Sequence, residues 1–223
     1  MMRPRSCLAA LAALMVTVWS QAARAQVPGA SLRDGEFEVG LAYHDFEREL
    51  AYDDKPSTLV NGVWSALLRM GVTESFTASV ELSGGLGGVD VGNYTYAVGA
   101  AVQSCLWAHA STRATTSIGY TRLLSVYREE AGASLKVQSL DWNALLEQDA
   151  RWKSQSLTFW AGPTISYVSA EPQAPAAENY SESTQLLGVI AGTRVVFARH
   201  VSITAQGNWI NNFEPSVALA YRF

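Results

Sequence analysis

The chain is poor in cysteine, with only Cys7 and Cys105 among 223 residues, so it is not a scaffold stapled by disulfides. It is also poor in charge. Only 16% of residues are Asp, Glu, Lys or Arg, and 16 basic side chains against 20 acidic ones leave a net charge of −4. Without a basic excess, nucleic acid is not an expected partner. No stretch reaches 18 consecutive apolar residues, the minimum for a membrane-crossing helix. Yet 48% of the chain is hydrophobic. That apolar surface must go either into a soluble core or onto a lipid-facing barrel.

The N-terminus has its own logic. Arg3 and Arg5 precede an uncharged apolar run from Cys7 to Trp19, and Gln21-Ala22-Ala23-Arg24-Ala25 follows with small residues where a signal peptidase reads. Residues 1–25 are therefore expected to be a cleaved signal peptide. Cys7 opens the apolar run rather than closing it, so it is not placed like a lipoprotein acceptor. Cleavage removes three basic and no acidic side chains, moving the net charge from −4 to −7, and leaves Cys105 as the one cysteine.

What fills the rest is period-two alternation. Val217, Leu219, Tyr221 and Phe223 alternate with Ser216, Ala218, Ala220 and Arg222, and Val201, Ile203, Ala205, Gly207 and Trp209 with Ser202, Thr204, Gln206 and Asn208. Phe76 to Ser83 and Phe37 to His44 repeat the pattern. Each reads as a strand with one greasy side. Ten such segments are expected, near 35–46, 59–72, 75–86, 93–106, 112–125, 134–147, 156–168, 184–198, 200–211 and 215–223, about the length of tilted membrane strands. The sixth is ambiguous, because Leu140 to Glu147 also fits a helix capped by Asp141, and eight strands are then the alternative.

Connections near Thr73-Glu74-Ser75, His109-Ala110-Ser111 and Ala198-Arg199-His200 are tight, whereas Glu47 to Thr58, Gly84 to Gly92 and Ser169 to Ser183 are long and polar or rich in Gly and Pro. Asn211 to Glu214 is short on the long side, and Glu147 to Gln155 long on the short side. Short turns at one end and long loops at the other suit an all-β, closed, antiparallel up-and-down transmembrane β-barrel spanning residues 35–223, with short turns and chain ends in the periplasm. Residues 26–34 are then an N-terminal periplasmic segment.

The faces separate this reading from a soluble periplasmic β-domain. The non-greasy side is mostly Gly, Ala, Ser, Thr, Asn and Gln, suited to filling a narrow lumen rather than meeting bulk water. Aromatics gather toward segment ends, Tyr43, Trp64, Tyr94, Tyr96, Tyr167 and Trp209 at one and Phe76, Phe197, Tyr221 and Phe223 at the other, as two interfacial belts require.

The ending Val217-Ala218-Leu219-Ala220-Tyr221-Arg222-Phe223 resembles the C-terminal β-signal of bacterial outer-membrane proteins, with a terminal Phe and an aromatic two residues before it. That resemblance covers the architecture of the mature chain and implies location in the outer membrane. It also implies outer-membrane lipid, periplasmic chaperones and the barrel-assembly machinery as partners. No motif narrows it to one family.

Charges on the lumen side need partners. Glu38 on the first strand and Arg222 on the last are expected to meet across the closing seam, with Arg69, Glu81, Asp141, Glu147 and Arg194 as further members of an internal network. That network reads as a structural plug ahead of a selectivity filter. Enzymatic signals are thinner. His109-Ala110-Ser111 resembles the His-x-Ser of outer-membrane phospholipases and lipid A deacylases but lacks the following Asn and sits in an expected periplasmic turn. His44-Asp45 and Asp53-Asp54 resemble omptin proteases in residue type alone. No cofactor or metal is expected. The function expected is a non-enzymatic structural or binding barrel or a narrow passive pore, with a barrel enzyme acting on lipid or peptide at the outer rim as the alternative.

Overall fold

The computed structural model describes residue 32 and residues 34–52, 55–88, 94–126, 134–152, 155–173, 182–197, 200–210 and 213–223. The expected signal peptide lies outside these residues, as do Asp53 and Asp54. Ten strands follow in order: β1 (Phe37–Tyr52), β2 (Lys55–Thr73), β3 (Phe76–Gly88), β4 (Tyr94–His109), β5 (Thr112–Val126), β6 (Ser134–Trp152), β7 (Gln155–Gln173), β8 (Glu182–Phe197), β9 (Val201–Trp209) and β10 (Phe213–Arg222). Each pairs antiparallel with its neighbours in sequence, and β10 returns to β1 to close the barrel. Closure gives each backbone ladder a partner without leaving an open edge along the shared wall.

The sixth segment is a strand. Leu140 pairs with Tyr120 on one side and Tyr167 on the other. Leu145, buried, and Leu146, exposed, point to opposite faces, as neighbours do in a strand and not in a helix. Several expected loops are strand instead. β1 and β2 pair up to Tyr52 opposite Lys55, so Glu47 to Thr58 is mostly ladder. β6 reaches Trp152 opposite Gln155, which removes the long turn expected from Glu147. β3 extends to Gly88 and β7 to Gln173. The reason is shared: cross-strand hydrogen bonding to an existing neighbour outweighs weak local propensity in polar or Gly-containing tips.

The burial pattern is that of a soluble protein turned inside out. Leu41, Trp64, Leu82, Leu106, Ile118, Leu146, Leu187, Val217 and Leu219 face outward and exposed, whereas Ser65, Thr77, Gln103, Thr121, Ser139, Asn143, Thr164 and Asn208 are buried inside. The two ends differ. At the terminal end Gly35 N–H donates to the carbonyl of Gly71, Gly71 N–H to that of Glu36, and Phe223 N–H to that of Phe37. Leu32 sits buried there, its N–H donating to Thr77 Oγ1 at 2.9 Å. The tight β4–β5 turn places Ala110 at φ 52°, a left-handed conformation that non-glycine residues seldom adopt.

Candidate functional site in the barrel lumen

Strand parity decides what enters the lumen. On β1 the even residues from Glu38 to His44 turn inward, on β5 the odd residues from Arg113 to Leu123, and on β6 the odd residues from Val137 to Glu147. The charges therefore arrive on fixed rails, and the cross-strand register determines which of them meet.

At the terminal end Glu38 is the hub. Its register partners are Arg69 on β2 and Arg222 on β10. Arg69 Nη1 donates to Glu38 Oε1 at 3.2 Å, Arg222 Nη2 stands 3.7 Å from Oε2, and Arg194 Nη2 donates to Oε2. Arg194 also donates to Ser202 Oγ at 2.9 Å, and Arg222 reaches Glu36 at 3.3 Å. Three guanidiniums thus converge on one carboxylate whose two oxygens are both engaged. The expected Glu38 to Arg222 contact is present across the seam.

A second cluster surrounds Glu147 on β6. Gln103 Nε2 and Thr115 Oγ1 both donate to its Oε1, at 2.9 and 2.8 Å, and Arg113 Nη2 lies 3.4 Å from Oε2. Arg113 also donates to both oxygens of Asp149 at 3.1 Å. Nearer the end away from the chain termini, Ser139 Oγ donates to Asp141 at 3.0 Å and Ser166 Oγ donates to its other oxygen. Glu81 faces His44 Nε2 at 2.8 Å and accepts from Ser83 Oγ at 3.4 Å. Asn208 donates to Glu214 at 3.3 Å. The seven charges expected in the lumen lie on its inward faces, grouped around Glu38, Glu147, Asp141 and Glu81, and the Arg69 charge acts on both Glu38 and Glu147.

Between these polar levels lies an apolar cluster of Leu145, Trp160 and Ile190, all buried. Trp160 was not expected in a lumen face built of small polar residues. It fits because Gly192 on the adjoining strand has no side chain, and a Cβ there would overlap the indole ring. Arg113, Gln103 and Glu36 were also not singled out, and His44 was named only as an enzymatic candidate at the outer rim. Parity was the available signal for Arg113 and His44, which share a face with Thr115 and Glu38. Which partner each meets depends on register.

Of the belt aromatics, Tyr43 and Trp64 pack together at 5.2 Å in the middle of β1 and β2, because those strands run on to Tyr52 and Lys55, and Trp64, Tyr96, Tyr167 and Trp209 are exposed. Tyr94 lies in β4, its side chain outside the described set. Phe76 and Phe197 are half-buried at the terminal end, where Tyr221 stacks on His200 and meets Phe223 edge-on at 4.9 Å. Val217, Leu219, Tyr221 and Phe223 form one exposed stripe.

Of the enzymatic candidates, His109 and Ser111 do not form a dyad, and the side chain of Asp45 lies outside the described residues. His109 stacks on Trp107 and Ser111 Oγ accepts from Gln148 at 2.6 Å. Among the described residues no group of three or more His, Cys, Asp or Glu side chains is arranged to hold a metal ion.

The chain is similar to the translocator domain of autotransporter NalP from Neisseria meningitidis, at 12% identity and a TM-score of 0.52, covering 87% of this chain and 90% of that one. Other similar structures are outer membrane protease OmpT from Escherichia coli, at 10% identity and TM-score 0.45 over 84% and 96% of the two chains, and Ail, the attachment invasion locus protein of Yersinia pestis, at 13% and 0.39 over 85% and 99%. These neighbours are bacterial outer-membrane β-barrels, and at such identities the likeness is one of fold. No family model and no curated protein matches the sequence.

Proposed function

We propose that this protein is a non-conducting outer-membrane barrel, a structural or binding protein whose lumen is a plug. One observation carries the reading: charged and polar side chains from strand after strand are sealed from solvent inside the lumen. Arg194, Glu147, Asp141 and Glu81 are each 1% exposed and Ser166 is 0% exposed. A water-filled channel leaves its lining charges accessible, as porin interiors do. The Leu145, Trp160 and Ile190 cluster adds buried apolar side chains among the polar ones, and Leu32 is buried at the terminal end against Thr77. The exposed apolar exterior with aromatics at both ends supports lipid as its surroundings. The Phe-terminated stripe on β10 supports recognition by the barrel-assembly machinery and periplasmic chaperones after removal of a signal peptide.

An enzyme at the rim has less support, because His44 is turned inward onto Glu81. The test is conductance of the purified, refolded protein in planar bilayers. The expected result is no stepwise current. Regular single-channel openings from the wild type would overturn the plug.

A further inference from the structure

The lumen charges are not compensated evenly along the barrel. Arg69, Arg113, Arg194 and Arg222 all pair with Glu36, Glu38, Glu147 or Asp149 toward the chain termini. Asp141 stands outside that balance. It is 1% exposed, its two oxygens accept from Ser139 and Ser166, and among the described residues no Lys, Arg or His lies within ion-pair distance of it. Two neutral hydroxyls do not compensate a carboxylate taken out of water; buried charges are paired or hold a metal ion.

The register builds a recess around this carboxylate. Asp141 is flanked by Gly119 on β5 and Ser166 on β7, so at its own level the β5 side carries no side chain. One inward position farther from the termini Thr121 stands opposite Ser139, and one inward position nearer them Thr164 stands opposite Asn143. Inward neighbours on adjacent strands have Cβ atoms about 4.5–5.5 Å apart when opposed and about 7–8 Å apart on the diagonal, so these side chains surround Asp141. Thr121 and Thr164 are 2% and 1% exposed, and neither hydroxyl has a hydrogen-bond partner. Asn143 donates Nδ2 to Ser117 Oγ at 3.1 Å, which turns its amide oxygen the other way, buried and without a donor.

We propose that this recess binds a monovalent metal cation, sodium or its like, held by the Asp141 carboxylate and the oxygens of Thr121, Thr164 and Asn143. Every donor is a hard oxygen, the ligand type of such cations and not of thiophilic or imidazole-binding metals. Charge sets the valence. One carboxylate among neutral oxygens balances a single positive charge, whereas a divalent ion would leave one buried without compensation. With its one carboxylate the recess is unlike a centre built from three or more His, Cys, Asp or Glu side chains, which the described residues lack. It rests on strand register and not on the plug: a conducting lumen would overturn the plug and leave the recess in place.

The test is the unfolding temperature of the refolded barrel in zwitterionic micelles, followed by circular dichroism as NaCl replaces choline chloride at constant ionic strength. An ion that binds the folded state alone stabilises it with the logarithm of its concentration. The wild type should unfold at a temperature that climbs with each tenfold increase in Na+, and Asp141→Asn should lose that dependence. Replacing Thr121 and Thr164 together by Val keeps both the carboxylate and the side-chain shape, and should weaken Na+ binding by about tenfold or more. If Asp141→Asn does not fold, the double Val variant decides, and an unchanged Na+ dependence in it overturns the site. A wild type indifferent to Na+ also overturns it, since the carboxylate then holds a proton or water alone. So does a rise with CaCl2 and none with NaCl, which would make the ion divalent.

Discussion

At the residue scale the energetics concentrate on Glu38. It is buried, and three arginines converge on its two oxygens. Removing one member of a buried ion cluster leaves like charges facing each other without compensation, which costs about 3–5 kcal/mol. Glu38→Ala should therefore lower the urea midpoint of the refolded barrel accordingly. Replacing Arg194 by Met as well should recover only part of that loss, because Arg69 and Arg222 still face each other without the carboxylate. Gly192 is the other sensitive position. Gly192→Val drives a side chain into the Trp160 ring, and overpacking of this kind costs about 1–3 kcal/mol, read as a lower unfolding temperature on unboiled gels. Glu38 and Arg222 were legible as a seam pair because first and last strands must close a barrel. Gly192 was not, because its meaning depends on a tryptophan one strand away.

At the scale of the element, β6 is the instructive strand. Its sequence from Leu140 to Glu147 reads as a strand but also fits a helix capped by Asp141. The neighbouring strands settle it by supplying ladders on both sides, from Thr112–Val126 and Gln155–Gln173. The consequence is measurable in adjacent residues. Leu146→Arg places a charge on the lipid-facing side and should cost about 2–4 kcal/mol near the bilayer midplane, measured by denaturant titration in vesicles. Leu145→Ala instead opens a cavity beside Trp160 and Ile190 and should cost about 2–5 kcal/mol in micelles and vesicles alike. Equal sensitivity of the two to the lipid would contradict the strand. The tips of β1, β2 and β7 were misread for the related reason that a ladder can continue into sequence that looks like loop.

Over the whole molecule, the same alternation that hides polar groups presents an apolar belt, so folding and insertion are one process. The last strand ties them together. Phe223 belongs to the exposed stripe of β10, and its N–H bonds to Phe37 to close the seam. Deleting Phe223 should slow assembly by reconstituted barrel-assembly machinery while leaving unassisted refolding into thin bilayers nearly unchanged, followed by the heat-modifiable gel shift. An equal effect on both would make Phe223 a purely structural residue and remove the basis for a targeting signal.

The amino-acid sequence alone determined the class of fold, the number of strands and the inward parity of Glu38, Arg69, Glu81, Asp141, Glu147, Arg194 and Arg222. It could do so because parity is local: a period of two survives whatever the neighbours are. Register and ladder length are not local. Only the tertiary structure decided which of these charges meet, that Trp160 occupies the lumen against Gly192, and that β9 and β10 stop short of β1 and β8. Each of these depends on which residue of one strand stands opposite which residue of the next.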